Sequence, residues 1–239
     1  MVIKNFYKFI KDDYPSICIE NILKFNGKCA AIDTSEYINK SIKYFIKLLT
    51  LLQNNNIKCL FVYTDNNMCI QKELLNILDI AYIDSLYDIQ TTCSDLCIRN
   101  IVDFVISNNT DIVAYGTPKL VTNLNIKSGS CKTIKYNDVL KNLDMTSEIF
   151  LNFCIMCGTS YNSNIPRIGT KRSYKLIKKY KTIANTSDKT NINVDILNHL
   201  DTINLFRNYT KRNIDIQYFM RESIPDKHKY LLFITNYNI

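Results

Sequence analysis

Residues 149–180, IFLNFCIMCGTSYNSNIPRIGTKRSYKLIKKY, constrain this chain more tightly than any other stretch. An apolar run ends at Cys157-Gly158, a polar turn segment follows over 159–164, and Ile168-Gly169 precedes a basic amphipathic helix over 173–181. Gly169 sits just before that helix, and Thr170 is a candidate for its N-cap. A glycine turn opening a helix presents free backbone N–H groups and a positive dipole end, both suited to a phosphate. Lys171, Arg172, Lys175, Lys178, Lys179 and Lys181 add charge at that end and along the helix. Spacing alone supports two readings: a clamp on one phosphate strand of a duplex, or a surface helix with a solvated lysine face.

The rest of the chain reads as α/β. Residues 28–35 form a short buried strand ending in Asp33, with a helix over 36–53. In parallel α/β sheets ligands sit beyond the C-terminal strand ends, where Asp33 falls; as a structural residue it would cap that helix. A second strand, 58–63, leads to Thr64-Asp65. A short helix over 70–78 and a strand at 81–84 follow, then a helix over 91–105 and a strand and turn at 105–111. Beyond 180, residues 185–193 read as an exposed polar loop. Residues 194–209 read as one or two helices turning Leu197, Leu200, Ile203, Leu205 and Phe206 inward, and 229–239 as a strand or helix edge.

Bulk properties narrow the field. The 239 residues are 46% hydrophobic, enough for a buried core. No apolar run reaches the ~18 residues of a membrane span, and residues 1–15 lack the apolar region of a signal peptide. The net charge of +8 favours a polyanionic partner. Nine cysteines without zinc spacing, and two histidines, read as buried small hydrophobes in a reducing intracellular compartment. Strong Asn, Ile, Lys and Tyr usage suggests an AT-rich genome, such as that of a large DNA virus, a poxvirus for example, or a parasite.

Specific motifs add a resemblance. Gly158-Thr159-Ser160-Tyr161 followed by Ile165-Pro166-Arg167-Ile168-Gly169-Thr170-Lys171-Arg172 resembles the helix–two-turn–helix of the flap endonuclease/XPG family. That family reads Gly-x-Asp-Tyr and then Ile-x-Gly-Ile-Gly-x-Lys-Arg. Ala31-Ile32-Asp33-Thr34-Ser35 resembles its Ala-Ile-Asp-Ala-Ser. The segment 82–93 resembles its paired-glutamate segment, and Tyr115-Gly116-Thr117-Pro118-Lys119-Leu120 its Leu-Phe-Gly-Ala-x-x-Leu.

The resemblance implies a PIN-like parallel sheet flanked by helices over 1–145, and a helical lobe with a helix–two-turn–helix over 146–239. It implies remnant catalytic and metal-binding carboxylates at Asp33, Asp88 and Asp111, with Asp65 one residue out of register. Gln90, Asn109, Ser160 and Thr64 stand where the family has carboxylates, Val2 replaces its second-residue glycine, and its long helical arch is missing. Two-metal phosphodiester hydrolysis needs several carboxylates around cations about 3.5–4 Å apart. The implied function is therefore a catalytically inactive relative that binds duplex or branched DNA, or a scaffold with a protein partner in a replication, transcription or assembly complex. The DNA contacts would be Arg167, Gly169, Thr170, Lys171, Arg172, Lys175, Lys178 and Lys179. Alternatives are an active Mg²⁺-dependent 5′ nuclease with a reduced carboxylate site, and a structural subunit of a viral assembly without nucleic-acid contact. The resemblance further implies Mg²⁺ at the carboxylates, a monovalent cation at the 162–169 turn, and a location in the nucleus or a cytoplasmic viral factory.

Overall fold

The computed structural model describes residues 3–64, 69–85, 88–209, 219, 221, 223–237 and 239. Its centre is a seven-stranded sheet: β1 (Ile17–Asn21), β2 (Cys29–Asp33), β3 (Lys58–Tyr63), β4 (Tyr82–Asp84), β5 (Phe104–Ile106), β6 (Lys119–Thr122) and β7 (Ser130–Lys135), in the order β1-β7-β6-β5-β2-β3-β4. The sheet is mixed rather than wholly parallel. Strands β6, β5, β2, β3 and β4 run parallel, whereas β7 runs antiparallel to both β6 and β1. The segment joining β6 to β7 is too short to carry a crossover helix, so the chain turns straight back.

The central strands are apolar along their length because helices cover both faces. Alternation sorts them: Ala31, Leu60, Val62 and Val105 enter one apolar cluster, and Ala30, Ile32, Phe61, Phe104 and Ile106 the other. Beside the sheet lie α1 (Phe6–Asp12), α2 (Ile42–Asn54), α3 (Ile70–Ile77), α4 (Ile89–Ile98), the one-turn α5 (Asp111–Ala114) and α6 (Tyr136–Leu143). The first cluster continues into α7 (Ser147–Cys157), α8 (Thr170–Tyr180), α9 (Ile183–Thr190) and α10 (His199–Arg207). Rings of α1 join this part: Phe6 lies 5.8 Å from Phe150, and Phe9 lies 5.6 Å from Phe153 and 5.4 Å from Tyr174. The last helix, α11 (Lys227–Asn236), returns to α3, where the Asp226 amide donates to the Ile77 carbonyl.

Several local expectations are corrected. The helix expected over 36–53 begins at Ile42, because the Asp33 carboxylate accepts from the Ser35 amide and closes a 3-10 turn, Thr34–Glu36; Ser41 then caps α2. The helix expected over 91–105 starts at Ile89 with Asp88 as N-cap and ends at Ile98, and Val105 belongs to β5. The polar 185–193 stretch is mostly helix: the Thr182 hydroxyl accepts from the Asn185 amide, and Ile183 and Thr186 are buried. In α10, Phe206 points inward and Leu197 just before it is buried, but Leu200 and Leu205 are 67% and 51% exposed. Of the strand or helix edge expected over 229–239, the helix is found, ending at Asn236.

Candidate functional site

Chain order places a crevice at the carboxyl end of β2. From β2 the chain adds β3 and β4 on one side, then crosses to lay β5 and β6 on the other. At such a switch point the loops diverge and leave an opening. Asp33 ends β2 there, with its side chain 1% exposed. Its Oδ1 accepts from the Ser35 amide at 3.0 Å and the Ser35 hydroxyl at 2.5 Å. Its Oδ2 accepts from the Ser107 hydroxyl at 2.6 Å and the Gln90 amide at 3.2 Å. All four donors are neutral and all belong to this chain.

Asp88 caps α4, its Oδ1 accepting from the Thr91 amide at 2.6 Å, while its Oδ2 accepts from the Tyr161 hydroxyl. Tyr161 spends its proton on Asp88, so the Tyr115 hydroxyl, 2.6 Å away, donates to Tyr161, and Thr91, 2.7 Å from Tyr115, donates in turn. Burial pushes both phenols up, which keeps them protonated as donors. Asp111 opens α5 and is 1% exposed. Its Oδ2 accepts from the amide and the hydroxyl of Ser160, and the Asn109 side chain accepts from its backbone N–H. Its buried Oδ1 has no hydrogen-bond partner among the described residues. Burial raises the Asp111 carboxyl above its ordinary value, against the lowering effect of Ser160.

Of the carboxylates expected at the site, Asp33, Asp88 and Asp111 therefore lie on three neighbouring elements around one crevice, each braced by neutral donors. Thr64 is exposed, and Asp65 lies outside the described residues. Among the described residues no group of three His, Cys, Asp or Glu side chains is placed to hold a metal ion. Sequence reasoning missed two neighbours. Glu36 accepts from Asn108 at 2.7 Å, and burial raises its carboxyl. Lys72 is buried on α3, bonds Asp84 at 2.5 Å and lies 5.0 Å from the Tyr63 ring centre. A lysine in a short amphipathic helix ordinarily faces water, so nothing local in the sequence signals either.

The second part of the site is the turn from α7 into α8. Phe150 to Cys157 are all buried, and Gly158 ends the helix at φ +91°; a Cβ there would lie 3.0 Å from the Asn164 nitrogen. Arg167 occupies the left-handed region, φ +62°. The turn thus keeps a glycine-type conformation with an arginine in it, at a strain of roughly 1–2 kcal/mol. Gly169, not Thr170, is the N-cap of α8. Thr170 is the first helical residue, and its hydroxyl donates to the Lys4 carbonyl at 2.7 Å, which draws it away from the helix end. Two of the expected contacts already have partners: Lys171 pairs with Asp13 at 2.7 Å, and Lys178 with Asp144 at 2.5 Å. Arg167, Gly169, Arg172, Lys175 and Lys179 are exposed around the helix entry and along its outer face.

Known proteins share this sequence and this fold. The XPG I-region family matches residues 79–160. A protein described as "Probable RAD2-like endonuclease", from Invertebrate iridescent virus 3, is 33% identical over 190 residues, 71% of this chain and 49% of that protein. Flap endonuclease 1-2 of Paramecium tetraurelia is 30% identical over 167 residues, 68% of this chain and 39% of that protein. The chain thus spans about half the length, or less, of the curated relatives it matches. The catalytic core of Rad2, solved in complex with DNA substrate, superposes with a TM-score of 0.78 over 97% of this chain and 94% of that one, at 16% identity. The I-region match, the relatives across two thirds of the sequence and the common fold agree: the chain belongs to the flap endonuclease/XPG family.

Proposed function

We propose that the chain binds duplex or branched DNA through residues 158–169 and α8, acting as a helix–two-turn–helix, and that its carboxylate crevice does not hydrolyse phosphodiesters. The observation that carries this reading is the pair of bonds by which Ser160 and Gln90 engage Asp111 and Asp33. Where the family's pattern has carboxylates that would repel these aspartates and share cations with them, neutral side chains donate to them. Asp33 and Asp88 have both oxygens bonded from within the protein, Asp111 has one, and three carboxylates supply too little charge for two cations. The clamp is supported by exposed Arg167, Arg172, Lys175 and Lys179 around an uncapped helix N-terminus. The solved Rad2 core bound to DNA substrate offers a parallel for a fold of this kind on DNA. None of the nine cysteines forms a disulfide, which fits a reducing compartment, either nucleus or cytoplasmic viral factory.

One observation favours a second reading. The unpartnered Oδ1 of buried Asp111, in the field of Asp88, is an acceptor that a single Mg²⁺ would satisfy. Residual nuclease activity at one weakly held ion would follow.

Binding and cleavage on the same labelled substrates test both. Four exposed cations engaging about four phosphates give a slope of log affinity against log salt of roughly −3 to −4. Lys175→Glu and Arg172→Glu should each weaken binding and flatten that slope. No cut strand should appear with Mg²⁺ or Mn²⁺. Cleavage abolished in Asp33→Ala would establish the nuclease reading instead. Salt-independent binding, or none, would leave a scaffold role for a protein partner.

A further inference from the structure

A pocket of about 420 Å³ opens between α4 and α10, beside the carboxylate crevice. Its described lining combines the rings of Tyr115, Tyr161 and Tyr209 with Leu205, the amides of Asn204 and Asn208, and the carboxylates of Asp88 and Asp201. No lysine or arginine appears among the described lining residues. The contrast with the groove at the entry to α8 is chemical. That groove, about 510 Å³, carries Lys8, Lys171 and Arg172 beside Asp12 and Asp13, the last paired with Lys171.

We propose that the aromatic pocket receives a single unpaired nucleobase. Flat aromatic walls stack a base from either face. The Tyr115 and Tyr161 hydroxyls are committed to each other, to Thr91 and to Asp88, which holds those rings in place; Tyr115 is 9% exposed and packs on Phe206, so the half-buried Tyr161 and Tyr209 are the rings a base would meet. Two carboxylates, with no lysine or arginine among the described lining residues, disfavour a phosphate and admit a neutral ring. Both oxygens of Asp88 are already engaged, which leaves exposed Asp201 and the two amides as the polar groups that read the base edge. A carboxylate accepts from an amino group. The amino groups of cytosine, adenine and guanine and the N3–H of an unpaired thymine can all donate to it, so the pocket selects a base over no base rather than one base over another. Tyr161 lies in the same turn that leads to Gly169, so one loop ties the base pocket to the phosphate groove. A strand held at α8 can place its sugar-phosphate chain in the basic groove while one base turns into the pocket. This last step rests on the DNA-binding reading; the pocket's chemistry does not.

The test compares a duplex bearing one unpaired cytosine, the same duplex with an abasic residue there, and a fully paired duplex, at fixed salt. The unpaired base should tighten binding over the abasic site by about five- to a hundredfold, the span that one stacked base supports. Leu205→Trp fills the pocket from an exposed position and should erase that preference while leaving paired-duplex affinity unchanged. Equal affinity for base and abasic site overturns the pocket, even with the phosphate clamp intact. If no DNA binds, the DNA-binding reading fails and free nucleosides decide: a saturable melting shift with cytidine, absent in Leu205→Trp, supports a nucleoside pocket, and no shift overturns it.

Discussion

Asp111 and Ser160 show how one substitution changes what a crevice asks of its surroundings. Burial raises the Asp111 carboxyl above its ordinary value near 3.8. Between that value and the raised one, the folded protein holds a proton that the unfolded chain has released. Stability contributed by this group therefore falls as pH rises through the window and levels off above it. Asp111→Asn removes the fall. In denaturant titrations without divalent cations, the variant should match wild type near about pH 4 and exceed it near about pH 7. Ser160→Asp runs the other way. It replaces a donor by a second buried carboxylate and should cost roughly 1–3 kcal/mol in EDTA. Mg²⁺ should restore part of that loss, read as a rise in melting temperature absent from wild type. A variant indifferent to Mg²⁺ would mean that the crevice has lost its ion-binding geometry as well as its charge.

At the scale of elements, helix ends proved harder to read than helix faces. The stretch 185–193 looked like loop because Asn, Thr, Ser and Asp compete for backbone hydrogen bonds outside helices. In place it is α9, started by Thr182 and anchored by Ile183 against the core, where the Asn152 side chain accepts from the Ile183 amide at 3.1 Å. Thr182→Ala should cost about 1 kcal/mol, seen as a fall in melting temperature of roughly 2–4 °C. At α8 the cap moved by one residue. Thr170 is a good capping type, yet the carbonyl of Lys4, distant in sequence, takes its hydroxyl and leaves Gly169 at the cap. The helix entry consequently keeps N–H groups without a side-chain partner, the arrangement that suits an anion.

Across the whole molecule, one apolar cluster runs from α1 through the sheet into α7, α8 and α10. Phe153 sits at its centre, fully buried and in ring contact with Phe6, Phe9, Phe150 and Tyr174. Phe153→Ala should cost about 3–5 kcal/mol, with calorimetry still showing one transition. A low-temperature transition split off from the main one would mean that the helical part unfolds separately. Six residues of sequence separate β3 from α3. The tyrosine-lined pocket beside the carboxylates draws its described lining from the start of α4, from α10 and from Tyr161 of the 158–169 turn.

The sequence by itself determined the fold class, the strand positions of Asp33 and Asp84, the two helices around the 158–169 turn and the neutral residues at Gln90, Asn109 and Ser160. The α/β class and the strand ends follow from local periodicity, which acts over a few residues; the paired helices and the significance of the neutral residues follow from the resemblance to the family's motifs. Tertiary structure alone decided what those neutral residues do. The bonds from Gln90 and Ser107 to Asp33, and from Ser160 to Asp111, join residues 49 to 74 positions apart. It also decided which cations are free, because Asp13 and Asp144 reach Lys171 and Lys178 from other elements. Lys72 is the plainest case: only the register that sets Tyr63 beside Asp84 gives a buried ammonium its carboxylate. Side-chain partnership depends on distance in space, and a one-dimensional pattern records only distance along the chain.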